Sequence, residues 1–183
     1  MQQELSVSLR VQPTLDHLEF EYSFENTSSQ PILVFDRLWD MQANALKPTW
    51  AYIDIRDGKA AIKRLMETIP RGLHLDSPAV PYGREIAPHT QSGGKFSIAL
   101  PLKQSGAYDG FVRRGAQLKP ATVEEVIFSL GWCPKPAFIP PAIQPVQIGG
   151  ETLWLLPYGM VLQAQRIAMS SPVEVHVPGE AFD

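Results

Sequence analysis

The chain has 183 residues, of which 44% are hydrophobic and 19% charged, with a formal net charge of -3. That length suits one domain able to bury about 70% of the surface its unfolded chain exposes. The mild acidity argues against nucleic acid, since the one basic cluster, Arg113 and Arg114, reads as a solvated loop, and no run approaches the ~20 apolar residues of a membrane span.

Proline is the outlier, with 17 residues against an average near ~5%. It disfavours long helices, because each interior proline costs about 3 kcal/mol there. The opening "MQQELSVSLR" lacks the basic flank and apolar core of a signal peptide. Cys133 is the one cysteine, so no internal disulfide can form. A cytoplasmic location is the expectation; an exported chain with its signal removed would read the same.

In chain order, "LSVSLRV" alternates strictly, with Leu5, Val7, Leu9 and Val11 on one face. A period of two predicts a half-buried strand. "LEFEYSFE" repeats the pattern: Leu18, Phe20, Tyr22 and Phe24 inward, Glu19, Glu21, Ser23 and Glu25 outward. A slip by one residue would bury three glutamates, so the register is well specified. "NTSSQP" predicts a polar corner held by side chains that bond their own backbone. "ILVF" then predicts a strand covered on both faces.

"AYIDIR" alternates and runs into Asp57–Gly58, a hairpin signal. Strands at 51–56 and 60–68 follow, although Ile62, Leu65, Met66 and Ile69 also fit a short helix. Residues 70–83 carry Pro70, Gly72, Pro78, Pro81 and Gly83 and predict a loop. A short strand, a polar turn and a strand over 95–100 come next, then a long connection over 103–120. Residues 122–131 are ambiguous. Thr122 and Glu125 match a helix capping box, while Val126, Phe128, Leu130 and Trp132 alternate as in a strand; β-branched and aromatic content favours the strand.

"PKPAFIPPAIQP" holds five prolines and predicts a stiff, extended segment. "VQIGGETLWLLP" predicts a hairpin turning at Gly149–Gly150, and "MVLQAQRIAM" and "VEVHVP" predict closing strands. Around nine short strands separated by turns point to a two-sheet sandwich. There is no internal repeat and no domain boundary.

Three stretches, "FENTSSQPI", strand–"RDGK"–strand and "IAPHTQSGGKFSIALPL", resemble bacterial immunoglobulin-like modules, and among them the bacterial intracellular proteinase inhibitor family. The resemblance covers residues 4–102 only. It implies a single sandwich and, for the named family, proteinase inhibition by a loop.

Residue chemistry adds little to this. His17, His74, His89 and His176 have no partner at metal-ligand spacing and read as surface or loop residues. "SGGK" at 92–95 lacks the first glycine and the final Ser or Thr of a phosphate loop, so it reads as a plain turn. No G-x-S-x-G elbow occurs, and Cys133 reads as a packed residue with no activating neighbour in sequence. Asp36, Asp40, Asp54 and Asp57 do not form the spaced oxygen set that calcium needs. "NTS" at 26–28 matches a glycosylation sequon and reads as turn chemistry. Trp39, Trp50, Trp132, Phe138 and Tyr158 are mostly expected in the core. Two or three of them, on loops, are candidates for an exposed apolar anchor.

The expectation is therefore an all-β, single-domain (1–183) immunoglobulin-like antiparallel β-sandwich with long loops and at most one short helix. It binds a protein or peptide partner and has no catalytic residue, metal or cofactor. The surface favoured for binding is Trp132, Phe138, Ile139, Pro140 and Pro141, because a preordered loop loses little entropy on docking. The alternatives are proteinase inhibition by the rigid proline-rich loop, a subunit of a larger assembly joined by edge strands, and an enzyme or metal site gathered from distant residues.

Overall fold

The computed structural model describes residues 4–40, 45–47, 49–136 and 139–182. Strand dominates. In chain order the elements are β1 (Leu5–Pro13), β2 (His17–Asn26), β3 (Ile32–Arg37), β4 (Trp39–Asp40), β5 (Ala45–Leu46), β6 (Tyr52–Arg56) and β7 (Lys59–Arg64). There follow β8 (Tyr82–Ile86), β9 (Gln91–Ala99), β10 (Leu102–Lys103), α1 (Asp109–Val112) and β11 (Lys119–Pro134). The chain ends with β12 (Val146–Ile148), β13 (Glu151–Trp154), α2 (Tyr158–Ala164), β14 (Arg166–Met169) and β15 (Val173–Ala181).

β1, β2 and β9 form a three-stranded antiparallel sheet. The alternation of β2 sets which side is inside. Leu18, Phe20, Tyr22 and Phe24 are buried, while Glu21 turns out to meet Lys95 at 3.1 Å and Arg10 at 3.7 Å. The larger sheet runs β10-β15-β11-β3-β8-β13-β12, with β14 and the β6–β7 hairpin also attached through β11. The inner faces of the two sheets meet in one apolar cluster. Phe20 stacks on Phe96 at 4.7 Å between centroids, and Tyr22 meets Phe128 at 4.8 Å.

β3 is buried on both faces, as its unbroken apolar run predicts. Ile32 and Val34 face the first cluster, while Leu33 and Phe35 face a second one with Met66, Cys133, Leu156 and Val161. The polar corner after β2 is held by Asn26, which is fully buried. Its Nδ2 donates to the Gln30, Ile86 and Ala87 carbonyls and its Oδ1 accepts from Ser28. The sequon asparagine thus lies inside the fold. Asp57 and Gly58 both have positive φ, the conformation a two-residue hairpin turn requires.

Several expectations need correction. The larger sheet is mixed rather than antiparallel: β7 pairs with β11 and β10 with β15 in parallel. Fifteen strands, many very short, replace the expected nine among the described residues, and there are two short helices rather than at most one. The second hairpin strand stops at Arg64, short of residue 68. β9 begins at Gln91, four residues before the predicted start, because Gly93 and Gly94 let it lie flat against Tyr22 of β2.

"MVLQAQRIAM" is not one strand. Pro157 starts a helical turn, accepting from Met160 and Val161, and Tyr158, Val161 and Ala164 pack on the second cluster at helical spacing. The strand reading of 122–131 holds. The register shifts between Val123 and Glu125, so Val123 and Val126 both face the core despite opposite parity, which is why the segment mimics a helix. No helix among the described residues is long and apolar enough to cross a membrane.

Candidate functional site

The residues singled out around the proline-rich segment separate in space. Trp132 is 5% exposed and belongs to the main core, with the Arg166 guanidinium 5.1 Å from its ring centroid. It is not available as a surface anchor. Phe138 lies outside the described residues. Ile139 and Ile143 turn inward and pack on the second cluster. Between them the chain makes an exposed turn at Pro141, with the Ile143 amide donating to the Pro140 carbonyl at 2.8 Å and the Gln144 side chain to the Pro141 carbonyl at 2.7 Å. What the segment presents to solvent is therefore a proline turn, with Pro140 half-buried and Pro141 exposed.

A cleft of about 410 Å³ opens nearby, over the second cluster. Four separate stretches line it: Leu38 and Trp39 after β3, Tyr52 at the start of β6, residues 77–82 leading into β8, and residues 155–158 between β13 and α2. Leu156, which lines the cleft, is buried in the same cluster on which Val80, Tyr158, Ile139 and Ile143 pack. The proline-rich segment thus supports the floor of the cleft. Trp39 and Tyr82 meet with ring centroids 5.5 Å apart and planes inclined at 53°. The Tyr158 hydroxyl accepts from the Ile69 amide at 3.0 Å. Burial, then the neighbouring Glu67 charge, pushes the Tyr52 hydroxyl well above its ordinary range, so it stays a neutral donor. No charged side chain is among the described lining residues.

An interior charged cluster anchors this wall. Arg37 pairs with Tyr82 across β3 and β8 and grips Glu151 of β13 through two hydrogen bonds, at 2.7 and 2.6 Å. Asp36, with no exposed side-chain surface, takes Arg84 at 2.7 Å and Arg37 at 3.0 Å and accepts from the Tyr22 hydroxyl at 3.1 Å. Arg64, 2% exposed, donates to the Tyr22 hydroxyl at 3.2 Å and lies over the Phe96 ring at 4.1 Å. The Arg37 contact holds the Glu151 carboxyl below its usual range. Asp36 and Arg64 are buried and with the Tyr22 hydroxyl tie β2, β3 and β7 together, Arg84 adds β8, and the Arg37–Glu151 pair stands at the partly exposed margin.

A second, polar cleft of about 500 Å³ lies between β6, β7 and the connection from 104 to 113. Its polar groups bind one another. Glu67 accepts from Lys63 and from the Ala107 amide, Asp109 from the Gly106 amide and Arg113, and Gln104 donates to Asp54. Gln165 clamps the backbone of Met66 from both sides. The arrangement is that of a tied-down loop.

Cys133 is buried in the second cluster, and burial pushes its thiol up to about 11. Among the described residues no three His, Cys, Asp or Glu side chains gather as metal ligands would.

Of the aromatics named from the sequence, Trp39 and Tyr158 reach the cleft, and Trp132 does not. The reading missed Tyr52, Tyr82 and the "SPAVPY" stretch at 77–82. Its aromatic residue beside two prolines was the available signal. Neither family models, nor curated proteins, nor solved structures yield a match to this chain.

Proposed function

We propose that this chain is a binding module of immunoglobulin-like sandwich architecture that takes a peptide or an extended segment of a partner protein into the aromatic cleft. The observation that carries the reading is the cleft itself. Rigid aromatic and proline side chains from four stretches converge over an apolar floor, without, among the described residues, a charged group that a ligand would have to neutralise. Such surfaces gain from burying ligand area while losing little side-chain entropy. The facing of two sheets through one core supports the sandwich part of the reading.

The test is an unbiased peptide-display selection against the full chain, repeated with Leu155→Ala. Leu155 is 43% exposed, so this change leaves the core intact. Selected peptides are expected to lose affinity by about tenfold in the variant, the factor that about 1.4 kcal/mol gives. Failure to enrich any peptide, or equal binding to the variant, overturns the reading.

A second reading, proteinase inhibition, is favoured by the exposed turn at Pro141, which Ile139 and Ile143 pin from both sides. Titration against serine and cysteine proteinases, with no inhibition at stoichiometric excess, would end it. Association through an edge remains open to β12, whose one strand partner among the described residues is β13.

A further inference from the structure

We infer that the open edge of β1 pairs with β1 of a second copy of this chain, joining their three-stranded sheets across a two-fold axis. The backbone bonds of β1 show which of its groups are free. The Thr27 amide donates to the Glu4 carbonyl and the Thr14 amide to the His17 carbonyl, and the β1–β2 register runs unbroken between them. Even-numbered residues of β1 therefore bond to β2, and the N–H and C=O groups of odd-numbered residues point the other way. Among the described residues β2 is the one strand partner of β1.

This edge lacks the usual protection. β1 is nine residues long and has no bulge, and no charge points inward from it: Val7, Leu9 and Val11 face the core half-buried. An edge of that kind is a template for pairing with another chain. The opposite edge of the sheet differs. β9 carries Gly93, Gly94 and Lys95 in mid-strand, and residues 49–51 share a hollow with residues 97–101 beside it.

The edge also fits itself. Leu5 is fully buried and Pro13 has no N–H, so the open stretch runs from Val7 to Val11 with Leu9 at its midpoint. An antiparallel two-fold through Leu9 sets Leu9 against Leu9, and Val7 against Val11 of the second copy, with all their outward groups in hydrogen-bonded pairs. Inward side chains meet inward ones, so the apolar faces of the two sheets become continuous. On the outer face Ser8 meets Arg10 and Ser6 meets Gln12, a possible acceptor opposite a donor each time. The Arg10 side chain is 83% exposed and its Glu21 contact is as long as 3.7 Å, so its guanidinium has donors to spare. A second copy brings this complementary pattern from its own sequence, whereas an unrelated strand would match it by coincidence. None of these residues lines the aromatic cleft, so the inference is independent of the peptide reading.

The experiment measures sedimentation of the full chain over a range of concentrations, together with amide hydrogen exchange along β1. A monomer–dimer equilibrium is expected, in which the Val7, Leu9 and Val11 amides gain protection as the dimer forms. Ser8 is exposed, so its replacement leaves the core intact. Ser8→Arg sets like charges opposite each other twice in the interface and should weaken self-association by about fivefold, while Ser8→Glu should tighten it by a similar factor. Both variants are checked for an unchanged melting profile at low concentration. A chain that stays monomeric overturns the inference, even if an unrelated alternating peptide then protects these amides. So does a dimer whose Val7, Leu9 and Val11 amides exchange as fast as in the monomer, or one that both charge variants leave equally strong.

Discussion

The Arg84 guanidinium sits 2.7 Å from the Asp36 carboxylate, joining β8 to β3 at a point where Asp36 has no contact with solvent. Asp36 also holds Arg37 and the Tyr22 hydroxyl, so one carboxylate connects the two sheets. Asp36→Asn keeps the shape and removes the charge, leaving mostly buried Arg84 without the carboxylate it contacts and Arg37 with Glu151 alone. We expect a loss of about 3–5 kcal/mol, read as a lower urea midpoint with an unchanged slope. Adding Arg84→Met to Asp36→Asn should recover part of it, and a double variant no better than the single one would contradict this account.

Gly93 and Gly94 of β9 are small for different reasons. A Cβ at Gly93 would stand 2.2 Å from the Tyr22 carbonyl oxygen, and one at Gly94 would stand 2.8 Å from the Tyr22 hydroxyl. The first meets backbone, which must move; the second meets a ring that Phe96 and Phe128 hold in place. Both Ala variants should destabilise by about 1–3 kcal/mol or more, the range for overpacking, with Gly93→Ala the worse. Thermal melts of the two variants decide the order.

Glu151 makes stability depend on acid. Its folded-state pKa is depressed by Arg37, so its contribution is complete above the unfolded value, about 4.3, and is lost as pH falls through the folded value. Below about pH 4.3 the wild type should lose stability more steeply than Glu151→Gln. Urea midpoints measured across that acid range should converge for the two proteins; parallel curves would refute the linkage.

Cys133 should not react in the native state. Burial disfavours its thiolate, whose pKa is raised to about 11. A thiol reagent at neutral pH is expected to label it only as fast as the protein opens, and labelling should accelerate sharply in denaturant. Rapid native labelling would mean that the second cluster is open.

Strands whose inner and outer faces differ chemically were legible in the sequence. β1 and β2 announce themselves through Leu5 to Val11 and Leu18 to Phe24, because the alternating Arg10, Glu19, Glu21 and Glu25 turn to solvent. β11 was ambiguous because its bulge after Val123 changes parity within the strand. α2 was misread because only Tyr158, Val161 and Ala164 carry its periodicity, and their partner cluster comes from distant segments. The cleft shows the same limit. Its lining is drawn from residues near 38, 52, 80 and 156, so no window of sequence contains it. Nor does any window show that Asp36 meets Arg84, since polar residues in an apolar strand resemble errors until their partners are placed.

β11 carries on its edges β15, β14, β7 and β3. A chain shortened before Lys119 keeps the β1–β2–β9 strands but loses the shared spine of the other sheet. During synthesis, Val123, Val126, Phe128, Leu130 and Trp132, which complete the core shared with the first sheet, emerge only after the last strand of that sheet. A cell making this protein has an interval to guard in which the nascent chain is prone to stick to others.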